Sequence, residues 1–219
     1  MVGVLGLARW AALRYEELLA RHGIWMVWNT VLALVPLCLG LMLLTARRRR
    51  TLLWWFGVAL GVAFLPNAPY VLTDIIHLLA DVRVGAGDFE VAFVYVPVFA
   101  TFFGIGFGAY VATLRLVRNY LAASGWPRPA SFSLELGLHA LSAVGVFLGR
   151  VVRLNSWSVV TEPKEVLRAL PDLATPEAVG TVLITIVVLL GGTVILDAIY
   201  DGLRLRLGRH LPRHRRVRA

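Results

Sequence analysis

The chain has 219 residues, of which 58% are hydrophobic, and a mean hydropathy of +0.74. This composition excludes an ordinary water-soluble domain and indicates a membrane protein. The formal net charge of +9 does not favour nucleic-acid binding, because membrane proteins concentrate basic residues on their cytoplasmic side. The single cysteine, Cys38, excludes intrachain disulfides and metal sites built from paired thiolates.

Five apolar runs approach the roughly 20 residues that a helix needs to cross about 30 Å of hydrocarbon. The sequence therefore predicts an all-α polytopic bundle with one transmembrane domain over residues 24–200. An N-terminal arm at 1–23 precedes this domain, and an Arg-rich tail at 201–219 follows it. The predicted spans cover about 24–44, 52–72, 91–114, 132–152 and 179–199.

The basic residues predict the orientation of the bundle. Fourteen of the 22 lie between spans one and two, between spans three and four, or after span five. Ten of the 13 acidic residues lie in the other segments. Because positive charge stays on the cytoplasmic side, we expect the N-terminus outside and the C-terminus inside a bacterial cytoplasmic (inner) membrane.

Two prolines, Pro66 and Pro69, predict a break in the second helix. Residues 52–65 alone would span about 21 Å, whereas one rod over 52–80 would span about 43 Å. The first length is too short for the hydrocarbon layer and the second is too long. We expect Asn67 to cap the N-terminus of the second piece, with Pro69 in its first turn.

After the break, five polar residues follow the spacing of one helix face, with apolar residues between them. They are Tyr70, Thr73, Asp74, His77 and Asp81. This stripe must face water or polar protein groups, because lipid tails offer it no hydrogen bonds.

The segment FLPNAPYVLTDIIHL at 64–78 resembles the signature of a bacterial membrane family, domain of unknown function 1361. Trp28, Asn29 and Pro36 in span one and LGRVVRLNSW at 148–157 share in this resemblance. It extends over about 25–200 and leaves out the arm and the tail. The resemblance implies a membrane fold and the place of a site, and it implies no reaction.

The predicted topology brings three distant pieces of sequence to the outer membrane surface. One hypothesis is an outward-facing pocket in which Asp74 and His77 bind a metal or act as acid and base, while Arg150 and Arg153 hold an anionic group. The alternative is structural: Asp74 pairs with Arg150 or Arg153, and His77 bonds a backbone carbonyl. The candidate ligand-binding residues are Asn29, Asn67, Tyr70, Thr73, Asp74, His77, Arg150, Arg153, Asn155 and Trp157.

Three functions fit this pattern. The first is a binding module for a lipid headgroup or a partner helix, and the second is an intramembrane enzyme acting on a lipid-linked phosphate. The third, a small transporter or ion pathway, is weakened because five spans do not divide into two equal repeats.

The sequence requires no cofactor. Partners that fit are anionic lipids at the Arg-rich face, a second copy of the chain or another membrane protein.

A second polar group, predicted near the cytoplasmic face, consists of Glu135, His139, Asp197 and Asp201. It could conduct protons, or Asp201 could simply pair with Arg204 or Arg206. Because Asp74 with His77 and Glu135 with His139 are predicted at opposite surfaces, the two pairs should not form one dinuclear metal site.

Small residues four apart predict close helix packing. They occur at Gly57 and Gly61, at Ala100, Gly104, Gly108 and Ala112, and at Gly145 and Gly149.

Overall fold

The computed structural model describes residues 3–45, 49–152, 161–169 and 171–210. All regular structure in these ranges is helical, and five helices are long and apolar enough to cross a membrane. The predicted all-α, five-span architecture is confirmed, and the chain is a multi-pass membrane protein. The predicted orientation and the domain limits stay predictions.

Helix α1, Val4–Leu44, is longer than the predicted first span. Its 41 residues rise about 61 Å, twice the thickness of the hydrocarbon layer. The predicted N-terminal arm continues the same helix, supported by the 2.8 Å ion pair between Arg14 and Glu17, three residues apart. One end of α1 therefore projects beyond the membrane or lies along its surface.

The second span is interrupted, as the two prolines predict. It consists of α2 (Leu52–Phe64), α3 (Asn67–Tyr70), a 3₁₀ turn (Val71–Asp74) and α4 (Ile75–Val84). The prolines have no backbone N–H to donate. At this break the i→i+3 hydrogen bonds of the 3₁₀ turn replace the i→i+4 hydrogen bonds of a regular α-helix.

The predicted cap at the break is wrong. The Asn67 side chain donates to the carbonyl of Phe64 at 3.0 Å, so it binds the end of α2 and does not cap the start of α3. Pro66 occupies the cap position of α3 without a side-chain bond. The carbonyls at the end of α2 have no donors within the helix, and the Asn67 amide satisfies one of them.

The remaining spans also contain irregular turns. Two π-helical segments occur among the described residues, one before α6 and one directly after α7. In chain order the elements are α5 (Asp88–Glu90), a π segment (Val91–Tyr95), α6 (Val96–Ala123), α7 (Arg128–Phe147), a π segment (Leu148–Val152), α8 (Pro163–Ala169), a 3₁₀ turn (Pro171–Ala174) and α9 (Pro176–His210).

The short helix α3 lies at the centre of the bundle. It contacts α1, α6 and α7, while α1 packs along α6 and α2, and α9 packs along α7. Ala68 and Val71, at this break, are fully buried. The interrupted span therefore packs against three neighbouring helices at the point where its own backbone hydrogen bonding is interrupted.

Close packing at the break depends on two glycines. A Cβ on Gly106 would lie 2.3 Å from Cγ2 of Val71, and one on Gly145 would lie 2.5 Å from Cβ of Pro66. The prediction of a close-packed stripe at Gly104 and Gly108 is wrong, because a Cβ there would meet nothing within 4 Å. Gly106 lies on the opposite side of α6 from both, about 200° around the helix.

Candidate functional site

A cluster of polar side chains surrounds Asp74 at the end of the 3₁₀ turn. We call it the Asp74 cluster. The Asp74 side chain is only 3% exposed, and Asn29 of α1 donates to its Oδ2 at 3.1 Å. Arg150 Nη1 lies 3.4 Å from Oδ1, so both carboxylate oxygens have partners from other helices. The cluster comprises Asn29, Tyr70, Thr73, Asp74, His77 and Arg150.

Arg150 lies in the π segment after α7 and crosses to the broken second span. Its Nη2 donates to the backbone carbonyl of Thr73 at 2.8 Å, and its Nη1 lies 3.4 Å from the Tyr70 hydroxyl. The guanidinium also lies 5.8 Å from the centre of the Tyr70 ring. Three contacts therefore orient this cation, while 26% of its side chain stays exposed.

His77 borders the cluster on its exposed side. Its Nε2 lies 4.0 Å from Asp74 Oδ1, too far for a hydrogen bond, and its side chain is 41% exposed. The ring packs 4.7 Å from the Trp25 ring, so the predicted bond from His77 to a backbone carbonyl is not formed among the described residues.

A second ion pair extends this polar face toward the start of α1. His22 Nε2 lies 2.6 Å from Asp81 Oδ2, and Arg21 binds the other oxygen of the same carboxylate at 3.2 Å. The ring centres of His22 and His77 lie 6.1 Å apart. From Asp74 to Asp81 the polar stripe therefore faces α1, whereas Tyr70 contacts Arg150.

The structure brings together most, but not all, of the predicted site. Asn29, Tyr70, Thr73, His77 and Arg150 all surround Asp74, whereas the Asn67 amide binds the end of α2. The remaining candidates, Arg153, Asn155 and Trp157, lie outside the described residues. Arg150, one of the two arginines considered for Asp74, contacts its carboxylate. Ligand binding by these residues stays a prediction.

The depth of the cluster follows from its position on α1. Asn29 lies 15 residues before Leu44, a rise of about 22 Å. Arg50 and Trp54 lie near Leu44, which is typical of a membrane surface. A hydrocarbon layer of about 30 Å starting there would extend about 7 Å beyond Asn29. On that placement Asp74 and Arg150 would meet about 7 Å inside the hydrocarbon edge and not at the outer surface that the sequence predicts, and ionised groups at that depth require partners.

The metal hypothesis receives no support from the described residues. Within these ranges, no group of three or more His, Cys, Asp or Glu side chains is placed to hold a metal ion. Asp74 is already occupied by an amide and a guanidinium, which compete with any cation for its oxygens.

The second polar group also forms a cluster, and it includes two arginines that were predicted only to set the topology. Asp197 binds both Arg115 and Arg118, and Arg118 lies 3.5 Å from Glu135. Asp201 pairs with Arg115 at 3.0 Å, so the predicted pairing with Arg204 or Arg206 is wrong. We call this group the Arg118 cluster: Arg115, Arg118, Glu135, His139, Asp197 and Asp201.

His139 connects the Arg118 cluster to the interior of the bundle. It is fully buried, and its Nδ1 lies 2.8 Å from the Tyr110 hydroxyl. Its Nε2 lies 3.9 Å from Glu135 and has no hydrogen-bond partner in the described ranges. The buried hydroxyls of Ser142 and Thr193 likewise have none there.

The two clusters lie at opposite ends of α7 and its π extension. Glu135 and Arg150 are 15 residues apart, a rise of about 22 Å. Asp74 with His77 and Glu135 with His139 therefore cannot share a dinuclear metal site, whose ions lie only about 3.5–4 Å apart.

Two parts of the site were not found by reasoning from the sequence. His22, Trp25 and Asn29 have the i, i+3, i+7 spacing of one helix face, and this pattern could have identified the additional His22–Asp81 pair. The π segment that carries Arg150 has no comparable signal, because its apolar residues and glycine fit an ordinary span equally well.

The fold and the cluster define a multi-pass membrane protein that carries an ion pair inside its bundle. Residues 28–191 match the model of a family described as "Protein of unknown function (DUF1361)". The match covers most of the chain, so the protein belongs to this uncharacterised family, as the resemblance at 64–78 predicts. Neither the curated proteins nor the solved structures contain a significant match. His22 and Trp25 lie before the matched region.

Proposed function

We propose that the protein is a membrane-embedded binding protein whose Asp74 cluster holds the phosphate of an anionic lipid headgroup. This proposal rests on the hydrogen bonds and the partial exposure of Arg150. A guanidinium has five N–H donors, and the recorded bonds to Asp74, Tyr70 and Thr73 use three of them. The remaining donors belong to an oriented, partly exposed cation, and guanidinium groups bind phosphate through paired hydrogen bonds.

The cost of placing these charges in the membrane supports a functional role. An arginine or aspartate within a span is costly, up to about 2.5–3.5 kcal/mol at the span centre on insertion scales, and such residues mark sites. The ion pair offsets part of this cost, yet an apolar contact between the two helices would avoid it entirely.

The irregular backbone supports the same proposal. A 3₁₀ turn carries Thr73 and Asp74, and a π segment carries Arg150. Interruptions of these two kinds occur frequently at functional sites, because they reorient side chains that a regular helix would direct elsewhere. Here they direct polar groups from two spans toward one another.

An intramembrane enzyme acting on a lipid-linked phosphate is the second candidate. His77 favours it, because an exposed imidazole lies beside both the Asp74 carboxylate and the proposed phosphate contact. In that case His77 would transfer the proton while Arg150 positioned the phosphate. A pathway joining the two clusters lacks support, because Ala143, Val146 and Phe147, which follow Ser142 on α7 toward Arg150, are buried and apolar.

The experiment is native mass spectrometry of the protein released from bilayers containing equal amounts of phosphatidylglycerol and phosphatidylcholine. The test variant is Asp74→Asn combined with Arg150→Gln, which removes the guanidinium without leaving a buried carboxylate alone. We expect it to retain one anionic lipid fewer than the wild type, with the affinity lowered about tenfold, since a hydrogen bond to a charged group contributes about 1.5–3 kcal/mol.

The matched control is Arg83→Gln. Arg83 is an exposed arginine at the end of α4, on the same side of the bundle, without an ion pair in the described ranges. Equal lipid retention by the wild type, the double variant and this control would contradict the proposal. His77→Gln separates the two candidate functions: it stops turnover of the phosphorylated lipid in an enzyme, whereas in a binding protein the phosphate keeps its Arg150 contact and retention falls less than in the double variant.

A further inference from the structure

An apolar cavity lies on the other side of the break from the Asp74 cluster, toward the end of the bundle that carries Leu44 and Arg50. It is a cavity of about 330 Å³ between α1, α2, α6 and the start of α7. Its volume is within the range of small-molecule sites, which are mostly apolar with a few polar groups that orient the ligand.

Two polar side chains in the wall of this cavity already have hydrogen-bond partners. Trp54 Nε1 donates to the carbonyl of Leu43 at 3.1 Å, and Thr113 donates to the carbonyl of Ala109 at 2.7 Å. The interior therefore offers hydrocarbon contacts and no free hydrogen-bonding group from these two residues. A saturated chain is a suitable occupant, and a polar solute is not.

The mouth of the cavity has a different chemistry. Arg50 lies there, and its Nε donates to the Tyr120 hydroxyl at 3.0 Å. The guanidinium lies 5.6 Å from the Tyr120 ring centre and 6.0 Å from that of Trp54. These contacts orient an exposed cation and leave its Nη groups to a ligand, because its recorded hydrogen bond uses Nε.

The length of the cavity matches one leaflet of a bilayer. Its lining residues run from Pro36 to Leu44 on α1 and from Trp54 to Leu65 on α2. These stretches rise about 12 Å and 16 Å, and half of a hydrocarbon layer is about 15 Å. With Arg50 placed at headgroup level, the cavity would therefore reach to about the membrane centre.

We propose that this cavity binds one acyl chain of an anionic glycerophospholipid whose phosphate contacts Arg50. The apolar wall would contact the acyl chain, and the oriented guanidinium would bind the charged phosphate. The depth of the cavity fits a ligand that enters from the bilayer. This site is independent of the Asp74 cluster and uses none of its residues.

The test fills the cavity and counts the lipids that remain bound. Val58→Trp puts an indole into the cavity wall, whereas Ala59→Trp adds the same group at an exposed position of α2 outside the lining. Both variants are released from bilayers of equal phosphatidylglycerol and phosphatidylcholine, and native mass spectrometry counts the retained lipids. We expect Val58→Trp to lose one phosphatidylglycerol and Ala59→Trp to lose none.

The headgroup contact is tested by Arg50→Gln, which leaves the cavity open. We expect retention of phosphatidylglycerol at this site to fall about tenfold, to the level of phosphatidylcholine. Unchanged retention in Val58→Trp would overturn the proposal, and so would equal retention of both lipids by the wild-type cavity. If Val58→Trp does not fold, the Arg50→Gln result decides alone.

The two lipid proposals fail separately. Loss of one lipid in the Asp74→Asn, Arg150→Gln variant concerns the first cluster only, and loss in Val58→Trp concerns the cavity only. The combined variant is expected to lose two lipids, because the sites share no residue.

Discussion

The Asp74 cluster and the Arg118 cluster use the same ionic chemistry in different surroundings. Asp74 has one cation, Arg150, and its side chain is 3% exposed. Asp197 has two cations, Arg115 and Arg118, and the acids of that cluster range from 15% to 65% exposed. Beside Arg150, Asp74 has only the Asn29 amide and the His77 ring at 4.0 Å in the described residues, whereas Arg115, Arg118 and Asp197 of the second cluster each have two oppositely charged partners. Loss of one residue should therefore affect the two clusters unequally.

The largest effect is expected from Arg150→Gln. This change leaves the Asp74 carboxylate buried without its cation, which costs about 3–5 kcal/mol of the free energy of unfolding. Adding Asp74→Asn removes the unpaired charge and should restore most of that loss. Reversible unfolding in detergent micelles measures both values. Equal destabilisation by the single and the double variant would show that the ion pair is not the source of the effect.

The second effect tests the packing that supports the Asp74 cluster. Gly106→Ala would place its Cβ 2.3 Å from Val71 and 3.0 Å from the carbonyl oxygen of Ala68, so the broken span must shift. We expect a loss of about 1–3 kcal/mol in unfolding free energy, the usual range for overpacking. Gly104→Ala is the control, since a Cβ there meets nothing within 4 Å. Equal effects of the two variants would contradict the close approach.

Arg118→Gln is expected to have a smaller effect than Arg150→Gln, although it removes contacts to two acids. Asp197 keeps Arg115 as a partner, and the Arg118 side chain is 34% exposed, so water replaces part of the lost interaction. We expect a loss of about 1 kcal/mol, near the upper value for exposed ion pairs. A loss as large as that of Arg150→Gln would remove the contrast between the clusters.

The smallest effect is expected from Asp201→Asn. Its side chain is 65% exposed, and Arg115 retains Asp197 after the change. The unfolding free energy should fall by less than about 0.5 kcal/mol, and the difference should vanish in 1 M salt, where screening acts within about 3 Å. A larger, salt-independent difference would show that Asp201, like Asp74, contributes through an ion pair shielded from solvent.

The sequence was sufficient for the spans, the break and one side of the site. Long apolar runs predict membrane spans directly. Pro66 and Pro69 predict the break because proline lacks a backbone N–H donor in any context. The spacing of Tyr70, Thr73 and Asp74 determines a shared helix face. These features depend on local chemistry, so they follow from a single sequence.

The pairings across the bundle did not follow from the sequence. Periodicity gives the face of a helix but not the neighbour that this face meets, which is why the contacts of Arg115 and Arg118 with Asp197 were missed. The same limit explains Gly106, which packs closely although its neighbours Gly104 and Gly108 have the predicted spacing. Rotation of α6 decides between them, and tertiary packing sets that rotation.

The most direct test of the central claim is the arginine side-chain NMR spectrum of the protein during titration with short-chain phosphatidylglycerol. The resonance of Arg150 is assigned by its loss in the Asp74→Asn, Arg150→Gln variant, and Arg83 serves as the exposed reference. We predict a saturable shift of the Arg150 Nε–Hε signal while Arg83 does not move. A spectrum in which Arg150 stays unchanged, or shifts in parallel with Arg83 and without saturation, would contradict headgroup binding at the Asp74 cluster.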